Sequence, residues 1–190
     1  FIMSKKEYDK LYERLNYNLS TRTNLLTFSF TTVSAVLGLA IGLDNESVSP
    51  YLFLVPFFLI VSFTARIVYY RIVYAHICSF MITHFPDQMQ YNIKAKRVDE
   101  NQKRFHGVIA WLNNFEMTIL AAGCAFIFYI KYCKTIEDFS LGVLLSCLVP
   151  LILIALVFAI TMFGYKYMDH QNKYEARWLK LLKAEKENRT

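Results

Sequence analysis

The chain has 190 residues, is 55% hydrophobic and carries a formal net charge of +6. That apolar share is above the norm for a soluble domain, and the charges gather at the two ends and in the middle, with long apolar runs between them. This excludes an ordinary soluble enzyme domain, whose charges would spread along every helix. It also assigns the excess of Lys and Arg to membrane topology and anionic headgroups before nucleic acid.

Met3 is read as the natural start. The segment that follows holds Lys5, Lys6, Glu7, Asp9, Lys10, Glu13, Arg14 and Arg22. It is too polar for the apolar core of a signal peptide, so the first apolar run is expected to stay in the protein as a span. Tyr8, Leu11, Tyr12, Leu15 and Leu19 recur at helical spacing and predict an amphipathic cytoplasmic helix over 1–22.

A span needs roughly 20 mostly apolar residues. The first runs from Leu25 to Leu43. The second is purest from Tyr51 to Ala65 and continues helically towards Tyr74, giving a first hairpin over 23–75. Thr27, Thr31, Ser34, Gly38 and Gly42 share one narrow face of the first span at 100° per residue. Two readings stay open for this stripe: tight helix packing through small residues, or the lining of a pore built by several copies. The end of the second span, Ala65 to His76, interleaves Arg66 and Arg71 with Tyr69, Tyr70 and Tyr74. It reads either as an interfacial belt with snorkelling arginines or as a basic aromatic pocket for an anionic ligand.

The segment 76–106 is basic and cytoplasmic, with Lys94, Lys96, Arg97, Lys103 and Arg104 joining Arg66, Tyr70 and Arg71 as candidate ligand contacts. Pro86 is expected to end the helix leaving the second span. A second hairpin follows over 107–164, with spans from Met117 to Tyr132 and from Leu141 to Gly164. Asn113, Asn114 and Glu116 stand at the start of its first span. If the spans share a boundary, Arg66 and Glu116 lie at similar depth and form a candidate gate pair within or between subunits. Pro150 suits a kink in the last span. The tail, 165–190, reads as a cytoplasmic helix with a partial stripe of Met168, Trp178, Leu181 and Leu182.

Nineteen of the 21 Lys and Arg lie in the N-terminal arm, the middle segment and the tail, while the short loops share only Lys131 and Lys134. Both termini and the middle segment are therefore expected in the cytoplasm. The halves, divided near Pro86, look weakly alike, which reads either as the common pattern of any four-span protein or as a parallel repeat. The expected fold is all-α: an integral membrane four-helix bundle with helices extending into the cytoplasm. Cys78, Cys124, Cys133 and Cys147 lack CxxC spacing, and the four histidines lack metal-protease spacing. No catalytic group, metal or cofactor is expected.

The stretch Leu11-Tyr12-Glu13-Arg14-Leu15-Asn16-Tyr17, leading through Ser20-Thr21-Arg22-Thr23-Asn24-Leu25-Leu26 into a hydroxyl-rich span, resembles the SLATT membrane domains. So does the basic helix returning from the last span. SLATT proteins are predicted pore-forming effectors of bacterial nucleotide-dependent conflict and anti-phage systems, and Hailong-type members are thought to be held shut by a short DNA oligomer. The resemblance covers residues 8 to 43. SLATT domains are described with two spans, so it implies that the second hairpin is an addition or duplication. Four spans cannot easily enclose a water path alone, so a homo-oligomer is expected, tetramer favoured; the resemblance implies the bacterial inner membrane and a nucleotide or single-stranded oligonucleotide as ligand. The competing expectation is a non-conducting anchor that recruits a cytoplasmic partner.

Overall fold

A computed structural model describes residues 5–42, 49–90, 93, 103–134, 141–168 and 171–187, with backbone alone at 50, 103–110, 113, 167–168, 171–173 and 186. Among them are five α-helices and no strand: α1 Lys5–Gly42, α2 Val55–His84, α3 Lys103–Cys133, α4 Leu141–Met168 and α5 Gln171–Glu187. The first four are long and apolar enough to cross a membrane, in keeping with a multi-pass all-α protein. Helix is the natural state for such runs, because it satisfies every backbone donor and acceptor within the segment. The 38 residues of α1 extend about 57 Å, nearly twice a hydrocarbon core of about 30 Å. Crossing along the normal, close to half of α1 therefore lies outside the hydrocarbon core.

Helix ends follow local chemistry. Pro50 opens a 3-10 turn, Pro50–Leu54, that leads into α2. That helix stops at His84, and Pro86 begins the turn beyond it, as proline's steric demand on the residue before it requires. Pro150 is fully buried inside α4, which continues on either side of it.

The chain divides into two compact units, one of residues 23–68 and 113–163, the other of 1–22, 69–112 and 164–190. The first holds the apolar lengths of α1 to α4. Its centre is Val33, Phe57, Ile60, Met117, Ala121, Cys124 and Val157. A second cluster joins Ala40 at the end of α1, Phe53 before α2, and Phe128 and Tyr132 near the end of α3; Val143 and Cys147 from the start of α4 pack against it. The helix ends next to the two short connections therefore meet at one end of this unit. The Phe128 and Tyr132 rings stack at 5.2 Å, and Tyr129 Oη donates to the Cys147 carbonyl at 2.7 Å. Buried hydroxyls cost little here because they turn back on their own helix: Thr64 donates to the Ile60 carbonyl at 2.6 Å and Thr161 to that of Val157 at 2.9 Å. Helix α4 touches the core through Val157, with Leu153 and Ile154 packed against it, and leaves most of its Leu and Ile exposed.

The second unit gathers the three basic segments. Leu15 packs with Cys78, Met81 and Met89, and the Tyr8 and Phe85 rings meet edge to face at 5.2 Å. Helix α5 docks through Tyr174, 4.0 Å from the His76 ring, and Trp178, 5.0 Å from Phe80. Two expectations are corrected here. Tyr12 and Leu19 are 47% and 45% exposed. The face that α1 turns inward is Tyr8, Leu11, Leu15, Asn18 and Arg22, alternating steps of three and four. On α5, Leu181 faces outward and Tyr174 takes the buried place.

Candidate functional site

The hydroxyl and glycine stripe of α1 faces away from the chain's own core. Thr27, Thr31, Ser34, Gly38 and Gly42 are all exposed. A Cβ added at Gly38 or Gly42 would meet nothing within 4 Å. The core face of α1 carries Ser29, Val33 and Ala40, all buried, and at 100° per residue it lies opposite the stripe. Within one chain, then, the small residues do not serve packing. The Thr31 hydroxyl donates to the Thr27 carbonyl at 2.9 Å, so this hydroxyl is not left wanting a partner.

Beside the stripe runs an apolar groove of about 350 Å³, lined by Phe30 and Leu37 of α1 and by Glu116, Leu120, Gly123 and Ile127 of α3. Glu116 is half-buried there, whereas Arg66 is exposed on α2. The two members of the candidate gate pair thus sit in different surroundings. Glu116 belongs to a groove wall that is otherwise apolar.

The structure describes only some of the candidate anionic-ligand residues. Tyr70 is half-buried, with its ring 5.5 Å from that of Tyr69. Arg71 is 5% exposed, so it is an interior residue of the basic unit rather than part of a surface belt. Lys94, Lys96 and Arg97 lie outside the described residues. Lys103 and Arg104 are on the first turn of α3 by backbone alone.

Sequence reasoning missed two residues of the same basic unit. Asn18 is 6% exposed, and its Nδ2 has no hydrogen-bond partner among the described residues. Arg22, one turn further along α1, has a buried Nε in the same condition. The signal was available: Tyr8, Leu11 and Leu15 begin a three-four alternation whose next members are Asn18 and Arg22. All four cysteines are free, with Cys78 and Cys124 buried. The sequence matches no family, no curated protein and no solved structure.

Proposed function

We propose that the chain assembles into an oligomeric membrane pore whose ion path is lined by α1. The observation that carries this is the outward stripe of Thr27, Thr31, Ser34, Gly38 and Gly42, opposite the face that α1 buries in its own bundle. Lipid solvates neither hydroxyls nor bare glycine backbone, so such a face belongs against protein or water. The helices of one chain close around a packed centre, so a water path would run between copies around a symmetry axis, with a tetramer favoured. The split of cations supports a topology with both termini and the basic unit on the cytoplasmic side, and the SLATT-like opening supports a bacterial inner membrane. The basic unit receives an anionic nucleotide or oligonucleotide that gates the path, and the SLATT-like opening supports a role in anti-phage defence.

The test is ion or dye leak from liposomes holding the purified chain, with Thr31→Leu and Ser34→Leu as variants. Leak that both variants suppress supports the pore. Absence of leak with every nucleotide and oligonucleotide tried removes it. One observation favours a second function, a dry anchor that recruits a cytoplasmic partner: Thr31 already satisfies its hydroxyl within α1. In that case the same variants change subunit association and no leak is seen.

A further inference from the structure

The contact face between α1 and α2 in the basic unit changes character along its length. At one end it is apolar, with Leu15 against Cys78 and Met81. Two helical turns on from Leu15 is Arg22, and two turns back along α2 from Cys78 is Arg71. The helices run in opposite directions, so these steps lead to the same level, and a repeat of seven keeps each residue on its face. Asn18 lies between Leu15 and Arg22 on that face. Arg22 is close enough to Tyr74, one turn from Arg71, to act on it electrostatically. Where the alternation calls for apolar side chains, the sequence supplies an amide and two guanidinium groups.

Buried cations and amide donors are costly unless they are met by acceptors. Arg71 is engaged in interactions of its own, and α1 brings two open donors to this face. Asn18 Nδ2 and Arg22 Nε are both buried and both lack a hydrogen-bond partner among the described residues. Both are donors, and a guanidinium carries a positive charge. The missing partner is therefore an acceptor with negative charge. A guanidinium presents its N–H groups in a planar fork that matches the oxygens of a phosphate or carboxylate. A phosphate group also has oxygens to spare for the Asn18 amide.

We propose that Asn18, Arg22 and Arg71 form a binding site for a phosphate-bearing anion between α1 and α2 of the basic unit. The phosphate comes either from a soluble anion or from a phospholipid headgroup. Arg71 supplies positive charge from the α2 side, and Asn18 and Arg22 supply the open donors. The site gives a location to the anionic ligand of the pore proposal, yet its binding can be read without any conduction.

The full chain in neutral detergent is titrated with inorganic phosphate by calorimetry. In parallel, chain in phosphatidylcholine nanodiscs with and without phosphatidic acid is examined by native mass spectrometry for retained lipid. The expected result is saturable binding in one of the two arms, weakened about tenfold or more by Arg22→Gln and by Asn18→Leu, with helicity and elution volume unchanged. The arm that responds identifies the source of the phosphate. If Arg22→Gln does not fold, Arg22→Lys replaces it, keeping the charge and losing the fork, and the same weakening is required. Failure of both probes to bind overturns the site, as does equal binding by wild type and variants. An Asn18→Leu chain that melts higher and binds phosphate unchanged would also overturn it, since the polar positions would then serve only helix register. Binding without leak removes the pore and keeps the site; leak without binding does the reverse.

Discussion

Met81 and Ile60 offer a matched pair of perturbations. Both are 0% exposed, and alanine removes three heavy atoms beyond Cβ from each. Met81 packs with Leu15, Cys78 and Met89 in the basic unit. There the unfolded side chain meets water, so Met81→Ala forfeits about 0.8 kcal/mol per buried group and leaves a cavity as well, for a total near 3 kcal/mol. Ile60 packs with Val33, Phe57 and Cys124 in the apolar unit. If that unit lies in a bilayer, the displaced side chain meets lipid, which is as apolar as the core. Only the lost contacts then count, about 1–2 kcal/mol. Each site has a reporter beside it, because Cys78 and Cys124 are buried free thiols. In a Cys133→Ser, Cys147→Ala background in nanodiscs, labelling by a small membrane-permeant thiol reagent reads local opening. Met81→Ala should speed Cys78 labelling by about a hundredfold, and Ile60→Ala should speed that of Cys124 by about tenfold. Equal acceleration at the two thiols would mean that both units see the same solvent, and the membrane assignment of the apolar unit would be wrong.

Three further outcomes are expected. A Cβ added at Gly38 meets nothing within 4 Å in its own chain, so in Gly38→Leu helicity should hold while liposome leak falls at least about tenfold as an apolar side chain narrows the path; leak equal to that of the wild type would show that the stripe does not line it. Tyr174→Ala empties a buried position, 7% exposed, beneath α5. It should release that helix to limited proteolysis at a local cost of about 2–3 kcal/mol, and a cleavage pattern like wild type would refute the docking. Burial, then the charges of Tyr12 and Asp9, raise the Tyr8 phenol above its ordinary value of 10.0. The folded chain therefore holds that proton more tightly than the unfolded one. The contribution is complete below about pH 10 and is lost as pH rises past it. Tyr8→Phe should lessen the fall in melting temperature above about pH 10, and an identical alkaline profile would remove Tyr8 from that response.

Much of the fold was legible because apolar length is a strong signal. Runs such as Leu141 to Gly164 have few states open to them besides a long helix, and Pro86 marks the end of α2 by simple sterics. What failed was the choice of faces on the amphipathic parts. On α1, selecting apolar residues at helical spacing brought in Tyr12 and Leu19, which face outward, and passed over Asn18 and Arg22, which face in. Hydrophobicity ranks residues by type, whereas burial here follows a strict alternation set by the partner helix. Arg71 was legible as a ligand candidate but not as an interior residue, because nothing in its local sequence separates an arginine that snorkels from one that is enclosed. The α1 stripe was read with two outcomes, and its direction depends on which side of α1 meets Phe57 and Met117, a tertiary fact.

The stacked rings of Phe128 and Tyr132, clustered with Ala40 and Phe53, bind the helix tips at one pole of the apolar unit. Tight aromatic packing resists sliding, so any splaying of the hairpins turns about that pole as a fulcrum. From Phe128 back to Met117 is a lever of about 16 Å, along which a tilt of about 10° sweeps about 3 Å. The far pole, where Ser29 Oγ meets Met117 Sδ at 3.5 Å, then travels by roughly the width of a water molecule, while the ring-bound tips stay nearly still.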